Sequence, residues 1–192
     1  MQGSENTAKG SDAPSKFQSW IAVSVAIVSV FLGVTKIKDD NIVQAMLNAK
    51  SNAVDTWGEY QSKKVKHHIV DIGVEQIEAI ILSTGRKTPG LEKKITAYEK
   101  TIARYEAEEK ALADKARAYE KEYDNLNFRD DQFDLSDAAL SISLAMLAVS
   151  SLTTRRWLLY LAWGFAGFGL VMGLAGLLGL GLHPDWLTGL LS

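Results

Sequence analysis

The chain has 192 residues, a formal net charge of −2 and no cysteine. A near-neutral charge argues against nucleic acid or a strongly charged substrate as partner, and the missing thiols exclude disulfides and thiolate metal sites. Charge is segregated: nearly all of it lies between Lys36 and Asp134, while three apolar stretches carry almost none.

Residues 1–15 are rich in Gly, Ser, Asn and Lys, a composition that cannot bury a core and is expected to be disordered. The first apolar stretch follows, over residues 16–37. Lys9 and Lys16 give it the look of a secretory signal, but its far end, Phe31 to Lys38, has no small-x-small cleavage site and the run exceeds a usual signal core. It is expected to be a retained transmembrane anchor, with Trp20 at the interface.

Residues 38–134 form the charged insertion. From Asp40 to Ser83 apolar residues recur at helical spacing: Val43, Met46, Leu47, Val54, Trp57, Ile69, Ile72, Ile77, Ile80 and Ile81. The segment from Thr84 to Gly90 breaks the helix, with Gly85 suited to a left-handed cap and Pro89 to a restart. Beyond it Leu91, Ile95, Tyr98, Ile102, Tyr105, Leu112, Ala116, Tyr119, Tyr123 and Leu126 are spaced by alternating fours and threes, with Glu109 as the interruption. That period is the signature of a coiled coil, and its 36 or so residues reach about 54 Å. Tyrosines in the seam need partners or water for their hydroxyls, so a partly wet seam is expected. The simplest structure is a long antiparallel helical hairpin, turning near residues 84–90, that rises as a stalk.

The second span is expected at 135–154, with Ser136 or Asp137 capping its N-terminus. The third, 157–182, contains about 26 residues without a charge, enough to cross a bilayer. Only Thr153 to Arg156 separates the two, which predicts a tight antiparallel pair. Trp157, Tyr160 and Trp163 suit an aromatic belt. Gly169 and Gly173 have GxxxG spacing, and Ala175 and Gly179 make a second small pair. Such pairs let backbones approach closely, against either a span of the same chain or another subunit. Residues 183–192, with Trp186, are expected to return to the interface.

Arg155 and Arg156 sit in the shortest loop, where positive charge best fixes orientation, so this loop is placed in the cytoplasm and the hairpin outside it. Lys36 and Lys38 argue the other way, but long loops translocate largely regardless of charge. The spans hold no ionisable side chain in their interiors, which argues against proton-coupled transport. Their serines (Ser24, Ser29, Ser141, Ser143, Ser150 and Ser151) have no general base beside them. His67, Asp71 and Glu75 stand at i,i+4 spacing and have metal-ligand character. An ordinary solvated, salt-bridged face with Lys63, Lys64 and Lys66 is the favoured reading, since a further ligand would have to come from another helix, and no metal or other cofactor is expected. Trp57, Tyr60 and Gln61 are expected to pack the hairpin base and bridge its helices, a recognition patch being the other reading.

The run from Asp55 to Lys66 with its Trp-x-x-Tyr-Gln-x-Lys core, the Tyr/Glu/Lys heptad helix, Phe133-Asp134-Leu135, and Thr154-Arg-Arg-Trp157-Leu-Leu-Tyr160 together resemble the bacterial membrane proteins grouped as domain of unknown function 4337. The resemblance covers about Trp20 to Leu180. It implies three spans around a helical insertion and supplies no activity. Relatives often carry a His-rich N-terminal tail; here no histidine precedes His67, so a metal-binding tail does not carry over.

The expected fold is an all-α membrane protein with three transmembrane helices and a coiled-coil stalk between spans one and two. The expected function is non-enzymatic: a structural or interaction protein of a bacterial inner membrane that presents the stalk and self-associates. Ile95, Tyr98, Ile102 and Tyr105 would form the stalk seam, and Gly169 and Gly173 the intramembrane packing. The partners are the lipid bilayer, further copies of the chain and a possible protein captured by the coiled coil. The alternative is a subunit of an oligomeric pore, against which stands the lack of an acidic ring.

Overall fold

The computed structural model describes residues 15–182. The expectations for the N-terminal tail before Ser15 and for the tail beyond Leu182, Trp186 included, lie outside the described residues. Three helices make up the chain: α1, Lys16–Thr84; α2, Pro89–Thr153; and α3, Arg156–Leu178. No strand occurs among the described residues. Each helix contains a segment long and apolar enough to cross a membrane. The chain divides into two compact units, one built from residues up to Asn41 and from Arg129 onward, the other from Ile42–Phe128.

The turn between α1 and α2 obeys its local chemistry. Gly85 takes φ +63° and its N–H reaches the Ile81 carbonyl at 2.9 Å, ending α1. Proline, which has no N–H to lose, opens α2 at Pro89. Thr154 also has a positive φ, +52°, in the two-residue link that turns α2 into α3.

In the unit of three apolar helices, α2 presents two buried lines of period seven. Phe133, Leu140 and Leu147 form one, and Ser136, Ser143 and Ser150 the other, all essentially inaccessible. Two of the serines cross to α3, Ser136 donating to the Gly169 carbonyl and Ser143 to the Ala162 carbonyl, each at 2.8 Å, and Ser150 donates to the Arg155 carbonyl in the link before α3 at 3.3 Å. Ser136 therefore does not cap a helix, because α2 runs through it without a break; it ties two helices together instead. From α1, Ile21 packs with Leu147, Leu159 and Ala162, while Val28 packs with Leu140 and Ala166. The third apolar segment stops before its expected end at Leu182. Gly179, at φ +66°, closes α3, and the Leu180 N–H bonds the Ala175 carbonyl at 2.9 Å.

In the second unit α1 and α2 lie antiparallel, joined by Trp57–Glu120, Lys63–Glu108 and His67–Glu109 contacts. On α2 the predicted line faces inward: Ala116 is fully buried, and Leu91, Ile95, Tyr98, Ile102, Tyr105, Leu112, Tyr119, Tyr123 and Leu126 are half-buried. On α1 the predicted line holds at Met46 and Ile77, which are buried, and at Trp57 and Ile81, which are half-buried, and is corrected elsewhere. Val43, Leu47, Val54, Ile69, Ile72 and Ile80 are exposed, and the buried residues are Ile42, Met46, Ala49, Ala53, Thr56 and Ile77. The reason is volume. Bulky tyrosines on α2 need small residues opposite, and Ala53 and Tyr123 line one cleft together.

Candidate functional site

The densest buried polar network lies in the three-helix unit, where α1, α2 and the end of α3 meet. The chain places Asp39 four residues past Thr35 on the inward face of α1, and Asp130, Gln132 and Asp134 one turn ahead of the apolar part of α2. Asp39 is 4% exposed and Gln132 fully buried. Lys36 holds the Oδ2 of Asp39 at 2.8 Å. The Oδ1 of Asp39 and that of Asp130 are each buried without a hydrogen-bond partner, and Asp39 is near enough to act on the Asp130 carboxyl.

Two neighbouring carboxylates partly removed from water resist ionising together, and a proton held by Asp130 can be shared with Asp39. Burial, first, then the neighbouring Asp39 carboxyl and the charge of Asp134 push the Asp130 carboxyl up to about 6. Asp134 is raised as well, by burial and by the Asp39 charge, with Lys36 opposing. The arrangement is a proton-holding pair in the mildly acidic range.

Beside the pair, α2 closes the C-terminal end of α3. Arg129 donates from Nε and Nη2 to the Gly176 carbonyl at 3.2 and 2.9 Å. Gln132 Nε2 donates to the carbonyls of Leu180 and Leu182 at 2.7 and 2.6 Å. These oxygens have no intrahelical donors, and a guanidinium suits the negative end of a helix dipole. The Gln132 Oε1 is left buried and unpartnered. Charge is thus polarised: Lys16 and Arg156 share a cleft with Trp20, Tyr160 and Trp163 at one end of this unit, and the aspartates cluster at the other. Trp163 donates to Ser24 Oγ at 2.9 Å and meets Trp20 edge-on at 6.2 Å.

The residues singled out from sequence fall in several places. Gly169 and Gly173 are buried within the chain. A Cβ on Gly169 would stand 2.7 Å from Leu140 and 3.1 Å from the Ser136 carbonyl, and one on Gly173 would stand 2.7 Å from Phe31 and from Ser136 Oγ. Of the two partners left open for that motif, a span of the same chain occupies it. Arg155 and Arg156 are exposed at the α2–α3 turn.

Trp57 donates from Nε1 to Glu120 at 2.8 Å and meets Tyr60 edge-on at 5.3 Å; Gln61 is exposed and makes no bridge. Ile95, Tyr98, Ile102 and Tyr105 lie half-buried between α1 and α2. The ammonium groups of Lys63 and Lys50, from α1, stand 5.8 Å from the rings of Tyr105 and Tyr123. These cation–ring contacts let the tyrosine seam remain partly wet.

His67 does not turn toward Asp71 and Glu75. Its Nδ1 pairs at 2.9 Å with Glu109, which explains the one break in the α2 heptads: Glu109 is the partner of an inward-facing histidine. His67, Asp71 and Glu109 border a shallow cleft of about 470 Å³ with Lys64, and Glu75 is exposed outside it. Among the described residues no three His, Asp or Glu side chains form a metal-holding group.

Asp39, Asp130, Arg129 and Gln132 were not singled out from sequence, because acidic and basic residues beside an apolar stretch look like ordinary flanking charge. The period seven of Ser136, Ser143 and Ser150 is legible in the sequence, but the reading there weighed catalysis, a pore lining and, for Ser136, a helix cap, and not bonds between helices. No curated protein and no solved structure matches the chain. A family profile does, over residues 17–179, most of the length, and the chain belongs to the family described as Domain of unknown function (DUF4337).

Proposed function

We propose that the chain is a non-enzymatic interaction protein of a bacterial cell membrane. Its three apolar segments anchor it, and residues 42–128 form a two-helix coiled-coil arm that mediates self-association. The observation that carries this reading is the α1–α2 seam. Its α2 line keeps the coiled-coil period over ten turns of helix or so, yet its interior is stocked with alanines, tyrosines and paired charges rather than groups converging on a substrate. Such an interior specifies register and shape.

The polarised charge of the three-helix unit supports the orientation. The positive end, with Lys16, Arg155 and Arg156, belongs in the cytoplasm. The acidic end and residues 42–128 then belong outside it. Single cysteines at Arg155 and at Glu99, labelled in intact cells with a membrane-impermeant maleimide, test this. Labelling of Glu99→Cys alone agrees with the orientation, and labelling of Arg155→Cys alone reverses it.

Self-association is tested by the native mass of the protein extracted directly into lipid nanodiscs. A dimer or larger species is expected, and a monomer at native density would end this part of the reading.

A further inference from the structure

The exposed residues of α1 in the second unit form a pattern of their own. Leu47, Val54, Val65, Ile69, Ile72 and Ile80 are between 38% and 63% exposed. At about 100° per residue they fall, with Val43, within a sector of about 100°. This sector is separate from the line Ile42–Met46–Ala49–Ala53–Thr56 that faces α2. Val43, Val54 and Val65 are eleven residues apart, as are Ile69 and Ile80. An eleven-residue repeat keeps an apolar stripe nearly parallel to a helix axis and is matched by a helix bearing the same repeat.

The exposed area of these side chains is roughly 600 Å². That lies at the upper end of the largest patch a typical monomer leaves in water, and two copies together would bury roughly 1,200 Å², the lower bound of a specific interface.

We infer that this outer stripe of α1 is a homotypic interface, occupied by the α1 stripe of a second copy. The inference rests on the self-association proposed above and names the face that carries it. Copies anchored in one bilayer share one orientation, so their α1 helices run parallel. A two-fold axis along the membrane normal then sets each stripe residue against its own counterpart, Val54 near Val54 and Ile69 near Ile69. The face needs no intramembrane glycine, since Gly169 and Gly173 are filled from within the chain. It also needs none of the seam between α1 and α2.

The absence of native cysteine makes the test direct. Full-length Val54→Cys, Ile69→Cys and Glu59→Cys are each oxidised in native membranes, and the mass of each is measured in nanodiscs. Glu59 is an exposed residue on another face of the same helix. Val54→Cys and Ile69→Cys are expected to give covalent dimers in several-fold higher yield than Glu59→Cys, with an assembled mass for all three. An assembled mass with equal or greater crosslinking at Glu59 overturns the face and leaves self-association standing. A monomeric mass overturns both. A monomer in which Val54→Cys is shielded from a soluble maleimide in liposomes, but not in detergent, assigns the stripe to lipid instead.

Discussion

The pair Asp39–Asp130 makes a prediction whose sign is not the usual one for a buried acidic group. An ordinary aspartate releases its proton near 3.8, and Asp130 holds its own to about 6. Between these values the folded chain binds a proton that the unfolded chain has lost, so stability falls as pH rises from about 4 to about 6 and is level above. At about 1.4 kcal/mol per pH unit the displacement corresponds to about 3 kcal/mol. Asp130 is partly open to solvent, and screening reduces this to about 1–2 kcal/mol. Asp130→Asn removes the charge and supplies a permanent N–H for the Asp39 Oδ1, doing at every pH what the shared proton does below 6. The substitution is therefore expected to stabilise the protein at pH 7.5. The rise in Tm should be about 4 °C, since a chain of this size gains about 2–4 °C per kcal/mol. At pH 4.5 it should leave Tm close to that of the parent. Thermal melts followed by tryptophan fluorescence in nanodiscs, at half-unit steps from pH 4 to 8, read both effects. A lower Tm for Asp130→Asn at pH 7.5, or a pH slope identical to the parent's, would refute the shared proton.

Three further outcomes follow from the packing. Gly169→Leu drives a side chain into Leu140 and the Ser136 carbonyl and should cost about 1–3 kcal/mol, whereas Gly167→Leu, whose Cβ meets nothing within 4 Å, should be silent; SDS titration of helix content compares them. The triple change Ser136→Ala, Ser143→Ala and Ser150→Ala removes two bonds from α2 to α3 and one to the link between them, and should cost about 2 kcal/mol at about 0.6 kcal/mol each, read as a lower SDS midpoint; no change would mean that the hydroxyls contribute nothing beyond their volume. His67→Leu with Glu109→Leu replaces a half-buried polar pair by an apolar one; for buried ion pairs such a replacement is often neutral or stabilising by about 1–4 kcal/mol. The double variant should hold or raise Tm while loosening register, seen as a lower disulfide yield between cysteines placed at Lys63 and Glu108.

What the sequence discloses about the two arms of the second unit differs for a physical reason. On α2 the inward line consists of large side chains, Leu91, Ile95, Tyr98, Ile102 and Tyr105, so burial and hydrophobicity coincide and periodicity finds it. On α1 they diverge. The inward positions are held by Ala49, Ala53 and Thr56 because tyrosines fill the space opposite, while valines and isoleucines occupy the outer face. A search for apolar residues therefore finds the outer stripe and mistakes it for the seam. The buried line keeps its four-three spacing from Ile42 to Thr56 and is legible only when small residues are weighed against the ring volumes of the partner helix.

The three-helix unit carries the same lesson into polar chemistry. Serine in an apolar segment has two physical uses: a nucleophile, which needs a base, or a donor to a neighbouring helix, which needs only a carbonyl within reach. The spacing of Ser136, Ser143 and Ser150 at two turns decides between them, because donors repeating at that interval stay on one face beside one partner. Asp39 and Asp130 carry no such periodic mark. They are 91 positions apart and meet only because α1 and α2 fold back on each other at Gly85. Their joint behaviour, a proton shared between the half-buried Asp130 and the buried Asp39, is therefore a property of the fold that neither residue's local sequence contains. The unpartnered Oδ1 atoms point to it, and Asp130→Asn puts it to the test without disturbing the shape of the site.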